Sequence, residues 1–180
     1  MFQMKTMATA SAIGVVVAGG LALGTTHAVA STFPTPTCHE ADLTITLEEV
    51  DGPQAGMSHS GKYLRMTNTS DGTCAVRGYP GLGLQSATGD RVHADVVRGS
   101  TYFAPDPGVK SVRLSPNESA WADLEWTQTG ADEVAAKYLL VTPPAATTQQ
   151  RIEFNELLDG GRLTVTALND TPPGISYPDV

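Results

Sequence analysis

The chain has 180 residues, of which 41% are hydrophobic and 17% charged, and it carries a formal charge of −8 at pH 7. That length suits one domain large enough to bury a core of its own. The acidic balance weighs against nucleic acid and anionic membranes as partners, favours solubility, and names no partner.

Residues 1–30 read as an export signal. Lys5 precedes an apolar stretch from Ala8 to Leu23, and Ala28-Val29-Ala30 forms a small-x-small site that predicts cleavage after Ala30. A retained membrane anchor is the alternative. The stretch is short for a span, and Gly14, Gly19, Gly20 and Gly24 dilute its hydrophobicity. No cysteine lies near the site, so a lipid-anchored start is not expected, and no later segment would span a bilayer. Loss of the leader removes Lys5 and makes the remaining chain one unit more acidic. Cleavage would leave a secreted chain, free or wall-associated, with two cysteines, Cys38 and Cys74. In an exported protein an even count reads as a disulfide, and two cysteines allow one pairing. The absence of a CxxC motif makes that bond structural.

Residues 31–37 (STFPTPT) read as an extended Pro/Thr spacer. Leu43, Ile45 and Leu47 alternate with Thr44, Thr46 and Glu48, the period of a strand with one buried face. Asp51-Gly52-Pro53 ends it, and a polar loop runs through Ser60. The next strand covers Lys62 to Thr69, with Leu64 and Met66 inward and Tyr63, Arg65 and Thr67 outward. Asp71-Gly72 is expected to close a tight hairpin onto Thr73 to Arg77, with positive φ in the turn. Gly78-Tyr79-Pro80-Gly81 turns the chain into a strand at Leu82 and Leu84, and Thr88-Gly89-Asp90 turns it into Val92 to Val97.

Arg98 to Gly108 is a long loop carrying Tyr102 and Phe103. Val112 and Leu114 resume the alternation, and Ser115 to Glu118 is a turn. In the strand that follows, Ala120, Ala122, Leu124 and Trp126 line one face, with Trp121, Asp123 and Glu125 on the other. Ala131 to Lys137 suits one or two helical turns. Tyr138 to Val141, Arg151 to Phe154 and Leu163 to Leu168 are further strands, and 169–180 is an irregular Pro-containing tail. About nine short strands with turn-rich spacing argue for an all-β domain of two packed antiparallel sheets over 38–168.

An ordered series of motifs also resembles a known family. Cys38 precedes the first strand, and Tyr63 to Ser70 gives Y-x-x-x-x-N-T-S. Cys74 is followed by Val76, Arg77 and Gly78-Tyr79-Pro80-Gly81. Val112-Arg113-Leu114-Ser115-Pro116 with Ala120, and then Leu140-Val141-Thr142-Pro143-Pro144, complete the series. Together these resemble the secreted domain-of-unknown-function family 4232 of high-GC Gram-positive bacteria. The resemblance implies an immunoglobulin-like antiparallel β-sandwich exported to the envelope or medium, with no known catalytic residues. Many members carry a second cysteine pair, which this chain lacks.

Among chemistries, copper binding by Met57, His59 and His93 is the sharpest alternative, since these are soft or borderline ligands in an exported chain. Their spacing is irregular, Met66 belongs to the core face, and Met57 and His59 read as a flexible loop. Gly56-Met57-Ser58-His59-Ser60-Gly61 resembles a nucleophile elbow, the basis of a third reading as an envelope hydrolase. Its closing glycine comes one residue late, and the strand-to-helix context is missing. The pairs Asp123/Glu125 and Glu48/Glu49 read as solvated strand faces rather than glycosidase carboxylates. The Asn-x-Ser/Thr sequons at Asn68, Asn117 and Asn169 read as turn formers.

The strongest functional lead is a binding patch of Trp121 with Tyr63 and Arg65, because exposed aromatics beside charge favour recognition. The competing expectation is that the Tyr102/Phe103 loop covers Trp121. The reading is therefore a non-catalytic secreted domain without a cofactor, binding an unknown protein or cell-wall component or serving a structural role.

Overall fold

The computed structural model describes residues 34–174. The leader, the site after Ala30, and residues 31–33 and 175–180 lie outside that range. Twelve strands occur among the described residues: β1 (Leu43–Glu48), β2 (Gln54–Gly56), β3 (His59–Asn68), β4 (Cys74–Arg77), β5 (Gly81–Gln85), β6 (Arg91–Val92), β7 (Asp95–Arg98), β8 (Ser111–Leu114), β9 (Ser119–Thr127), β10 (Glu133–Thr142), β11 (Gln150–Asp159) and β12 (Arg162–Val165). A 3-10 turn, Glu40–Asp42, leads into β1.

Six strands form one sheet in the order β1-β3-β9-β12-β7, with β2 paired beside β1 on the same edge of β3. A four-stranded sheet runs β11-β10-β5-β6, and β4 pairs with β8 as a ribbon. All pairs are antiparallel except β7 with β12. The expected all-β sandwich is therefore what forms.

Its core follows from period two. Leu43 and Ile45 of β1, Leu64 and Met66 of β3, and Ala120, Ala122, Leu124 and Trp126 of β9 point to one side of the six-stranded sheet. They meet Leu84, Leu139, Val141, Phe154 and Leu158 of the four-stranded sheet, and Val76, Val112 and Leu114 of the ribbon, in one cluster. Trp126 packs edge-on against Phe154, with ring centroids 4.8 Å apart. Each large side chain buried in this way contributes about 1.5–3 kcal/mol.

Cys38 and Cys74 are bonded, with Cα atoms 4.8 Å apart. The bond joins the segment before β1 to β4, and the main chain reinforces it: Cys38 N donates to Ala75 O (3.0 Å) and Ala75 N to Pro36 O (2.8 Å).

Four expectations change. Asp71-Gly72 closes no hairpin: β3 pairs with β1 and β9, whereas β4 pairs with β8, so the chain crosses between sheets here. Buried Asn68 holds the crossing. Its Nδ2 donates to Gly72 O (2.7 Å) and Leu114 O (3.0 Å), and its Oδ1 accepts from Ser70 Oγ (2.8 Å). φ is positive at neither Gly72 nor Gly81; in the Gly78-Tyr79-Pro80-Gly81 corner it is Gly78 that takes φ 103°. Ala131 to Lys137 is not helical. From Glu133 it is the start of β10, because antiparallel pairing with Leu157, Leu158 and Asp159 of β11 overrides local helix preference. Val92 to Val97 is broken at His93-Ala94, where the chain leaves β5 and joins β12 in the other sheet. The loop expected through Ser60 is a two-residue hairpin between β2 and β3, with φ of 47° at Met57 and 70° at Ser58.

Candidate functional site

The face of the six-stranded sheet turned away from the core is polar, and the register arranges it in rows. His59 lies opposite Thr127, Gly61 opposite Glu125 and then Thr164, Tyr63 opposite Asp123, and Arg65 opposite Trp121. All of these alternate with core residues, so they share one face.

The loop between β7 and β8 covers the middle of that face. Gly99 N donates to Val165 O (3.0 Å), which pins the loop's start to β12. Near its end, Asp106 accepts from the Ala167 N–H (2.8 Å) and the Tyr79 hydroxyl (2.6 Å). Thr101 accepts from the backbone N–H groups of Phe103 and Ala104. Phe103 is fully buried over Gly61, where an added Cβ would come within 3.0 Å of the ring and 2.9 Å of Leu124 O. Tyr102 stacks on the His59 ring, with centroids 4.3 Å apart and planes 5° from parallel.

Asp123 and Glu125 are both buried: Asp123 lies beneath Thr101 of the loop and Gln54 of β2, and Glu125 is held against His59. Asp123 accepts from Gln54 Nε2 (2.6 Å) and from the Thr101 hydroxyl. Burial pushes its pKa up, against the two hydrogen bonds that favour the carboxylate; the charge of Glu125 adds to the rise. Glu125, 6% exposed, accepts from His59 Nδ1 at 2.6 Å. The sequence reading missed this cluster. Its one advance signal is Gly61, a glycine inside a strand, which marks a close approach by another segment.

The three residues of the expected patch do lie together, with different exposures. Tyr63 is on the outward face as expected, yet it is covered: it is 3% exposed, its hydroxyl donates to Pro173 O (2.9 Å), and Trp121 meets it edge-on. Trp121 is half-buried. Its backbone bridges to Asn169, and the Arg65 guanidinium sits 5.0 Å from its ring centre. The Tyr102/Phe103 loop seals the neighbouring Asp123 and Gly61 rows. Arg65 also donates to Ser119 Oγ (2.9 Å) and pairs with Glu48 (3.1 Å). Arg65, Trp121, Arg113, Asn117, Glu118 and Asp170 line an open groove of about 390 Å³.

The candidate copper ligands have other settings. Met57 is 76% exposed at the hairpin turn, His59 keeps Nδ1 on Glu125, and exposed His93 lies at the sheet crossing beside Gly161. Among the described residues no three His, Cys, Asp or Glu side chains form a group that would hold a metal ion. The elbow-like Gly56 to Gly61 segment is the β2–β3 hairpin rather than a strand-to-helix turn.

A disulfide-stapled, all-β sandwich with a polar outer face half roofed by a loop is the class these observations define. The family described as Domain of unknown function (DUF4232) matches residues 38–169, and the chain belongs to that family. No curated protein matches it. Among solved structures it is similar to a β-glucosidase from Kluyveromyces marxianus, at 13% identity and a TM-score of 0.26. That match covers 64% of this chain and 14% of the enzyme's, a likeness too slight to carry a fold or a substrate across.

Proposed function

We propose that the processed chain is a secreted, non-catalytic recognition domain of immunoglobulin-like type, which binds a protein or wall component of the cell envelope through the Trp121 groove. The observation that carries this reading is the half-buried Trp121 under the Arg65 guanidinium. A rigid aromatic is held there by a cation that Glu48 and Ser119 fix in place. Such an anchor has little side-chain entropy left to lose on binding, and that favours affinity. The rest of the groove adds the hydrogen-bonding side chains of Arg113 and Asn117. Export is supported by the leader pattern and the disulfide, which suits an oxidising compartment. No helix of the described residues is long and apolar enough to cross a membrane.

Retention on purified cell-wall material, together with bound secreted proteins, tests the reading. The processed protein should be retained, and Trp121→Ala should lose retention while its thermal midpoint stays close to the parent's. Equal retention by the variant, or a large drop in its midpoint, would assign Trp121 a packing role instead.

A further inference from the structure

We infer a second site, separate from the Trp121 groove: a pocket for a small zwitterion of the α-amino acid type at the other end of the same sheet face. It is a cleft of about 310 Å³ lined by His59, Glu125, Thr127, Asp159, Arg162 and Thr164. The strand register builds it. Thr164 lies directly across from Glu125, and His59 across from Thr127. Asp159 and Arg162 flank the tight Gly160-Gly161 turn, where φ is 56° and 68°, so both side chains reach the same cleft from its rim.

The groups lining the cleft hold unspent bonding capacity of both charges. Arg162 is exposed, and its guanidinium pairs with no carboxylate among the described residues. In particular it does not pair with Asp159, which lines the same cleft and has no ion-pair partner among the described residues. Glu125 is 6% exposed and uses only Oε1, on His59 Nδ1. Thr164 is 8% exposed, and its hydroxyl bonds to no described residue. Glu125 Oε2 and the Thr164 hydroxyl keep solvent contact, so both stand open to a ligand that enters the cleft.

A cation and two anions held apart around one small cleft match a ligand that carries both charges. The carboxylate of the ligand would meet Arg162, whose planar fork suits it. The ammonium would meet Glu125 Oε2 and Asp159, with the Thr164 hydroxyl as a further acceptor. His59 is held by Glu125 on one side and by the Tyr102 ring on its face, so the wall next to the loop is preformed. A metal ion is a poor fit, since these side chains do not converge as a ligand group.

The test is an amide-shift titration of isotope-labelled, processed protein with free alanine, acetate, methylammonium and glucose. Alanine should give saturable shifts at Thr127, Asp159 and Arg162, while acetate and methylammonium bind more weakly and glucose leaves these amides unmoved. Arg162→Gln should weaken alanine binding by about tenfold or more, the loss of one charge-assisted contact. Asp159→Asn should weaken it also. Both positions lie at the rim, so an unchanged amide spectrum elsewhere verifies folding of each variant. Trp121→Ala should leave alanine binding intact, and so failure here and failure of the groove reading are separate results. No saturable shift with alanine, equal shifts with glucose, or undiminished binding in both rim variants would overturn the inference.

Discussion

Asp123 shows what one buried carboxylate does to this fold. Burial raises its pKa in the folded chain above the ordinary aspartate value. Between those two values the folded state keeps a proton that the unfolded state has lost. The contribution of Asp123 to stability therefore falls as pH rises through that window and is level above it. Asp123→Asn keeps an oxygen acceptor for Gln54 and removes the titration. Urea denaturation across the acid range should show the variant gaining on the parent as pH rises; a difference that does not change with pH would assign the raised pKa no part in stability. Asn68 teaches a related lesson. As a letter it reads as a turn former, and it is one, but its amide reaches 46 residues along the chain to Leu114 as well. That second role needs β8 beside it, which local pattern does not specify.

At the scale of elements, alternation was legible and pairing was not. The inward residues of β1 and β9 follow from period two, as does the outward set on β9. What covers that outward set depends on a loop whose course is fixed by Asp106, Thr101 and Gly99, all bonded to segments distant in sequence. Hence Asp123, which pattern reads as solvated, is roofed, Glu125 is buried against His59, and Tyr63 is closed off by Pro173. The sheet crossings at Asp71-Gly72 and His93-Ala94 escaped for the same reason: each strand there looks for a partner that lies far along the chain. Gly61 gives the roof a direct test. An added Cβ would meet Phe103, Leu124 O and Gln54, and only the loop and β2 can move. Gly61→Ala should cost about 1–3 kcal/mol, as overpacking does, and should make the chain cleavable within 98–108 under limited proteolysis. A variant as stable and protease-resistant as the parent would show that Phe103 does not depend on the notch at Gly61.

For the whole molecule, one covalent bond spans 36 residues and ties the chain before β1 to the ribbon strand β4. In the chain-entropy account it contributes about 3–4 kcal/mol. Cys74→Ser should lower the denaturant midpoint to match, with little change in the slope against denaturant if the unfolded chain stays equally open; an unchanged midpoint would make the bond a bystander. The bond also has a place in time. A chain that emerges N-terminus first presents both cysteines once residue 74 is out, whereas the parallel β7–β12 pair waits for residues 162–165. Pairing so distant in sequence forms slowly. An early staple would close a loop holding β1, β2 and β3, with Tyr63 and Arg65 on β3, before β9 delivers Trp121 and both carboxylates. The strands that emerge later would then add to a framework already joined at its entrance, and the polar outer face would be completed last.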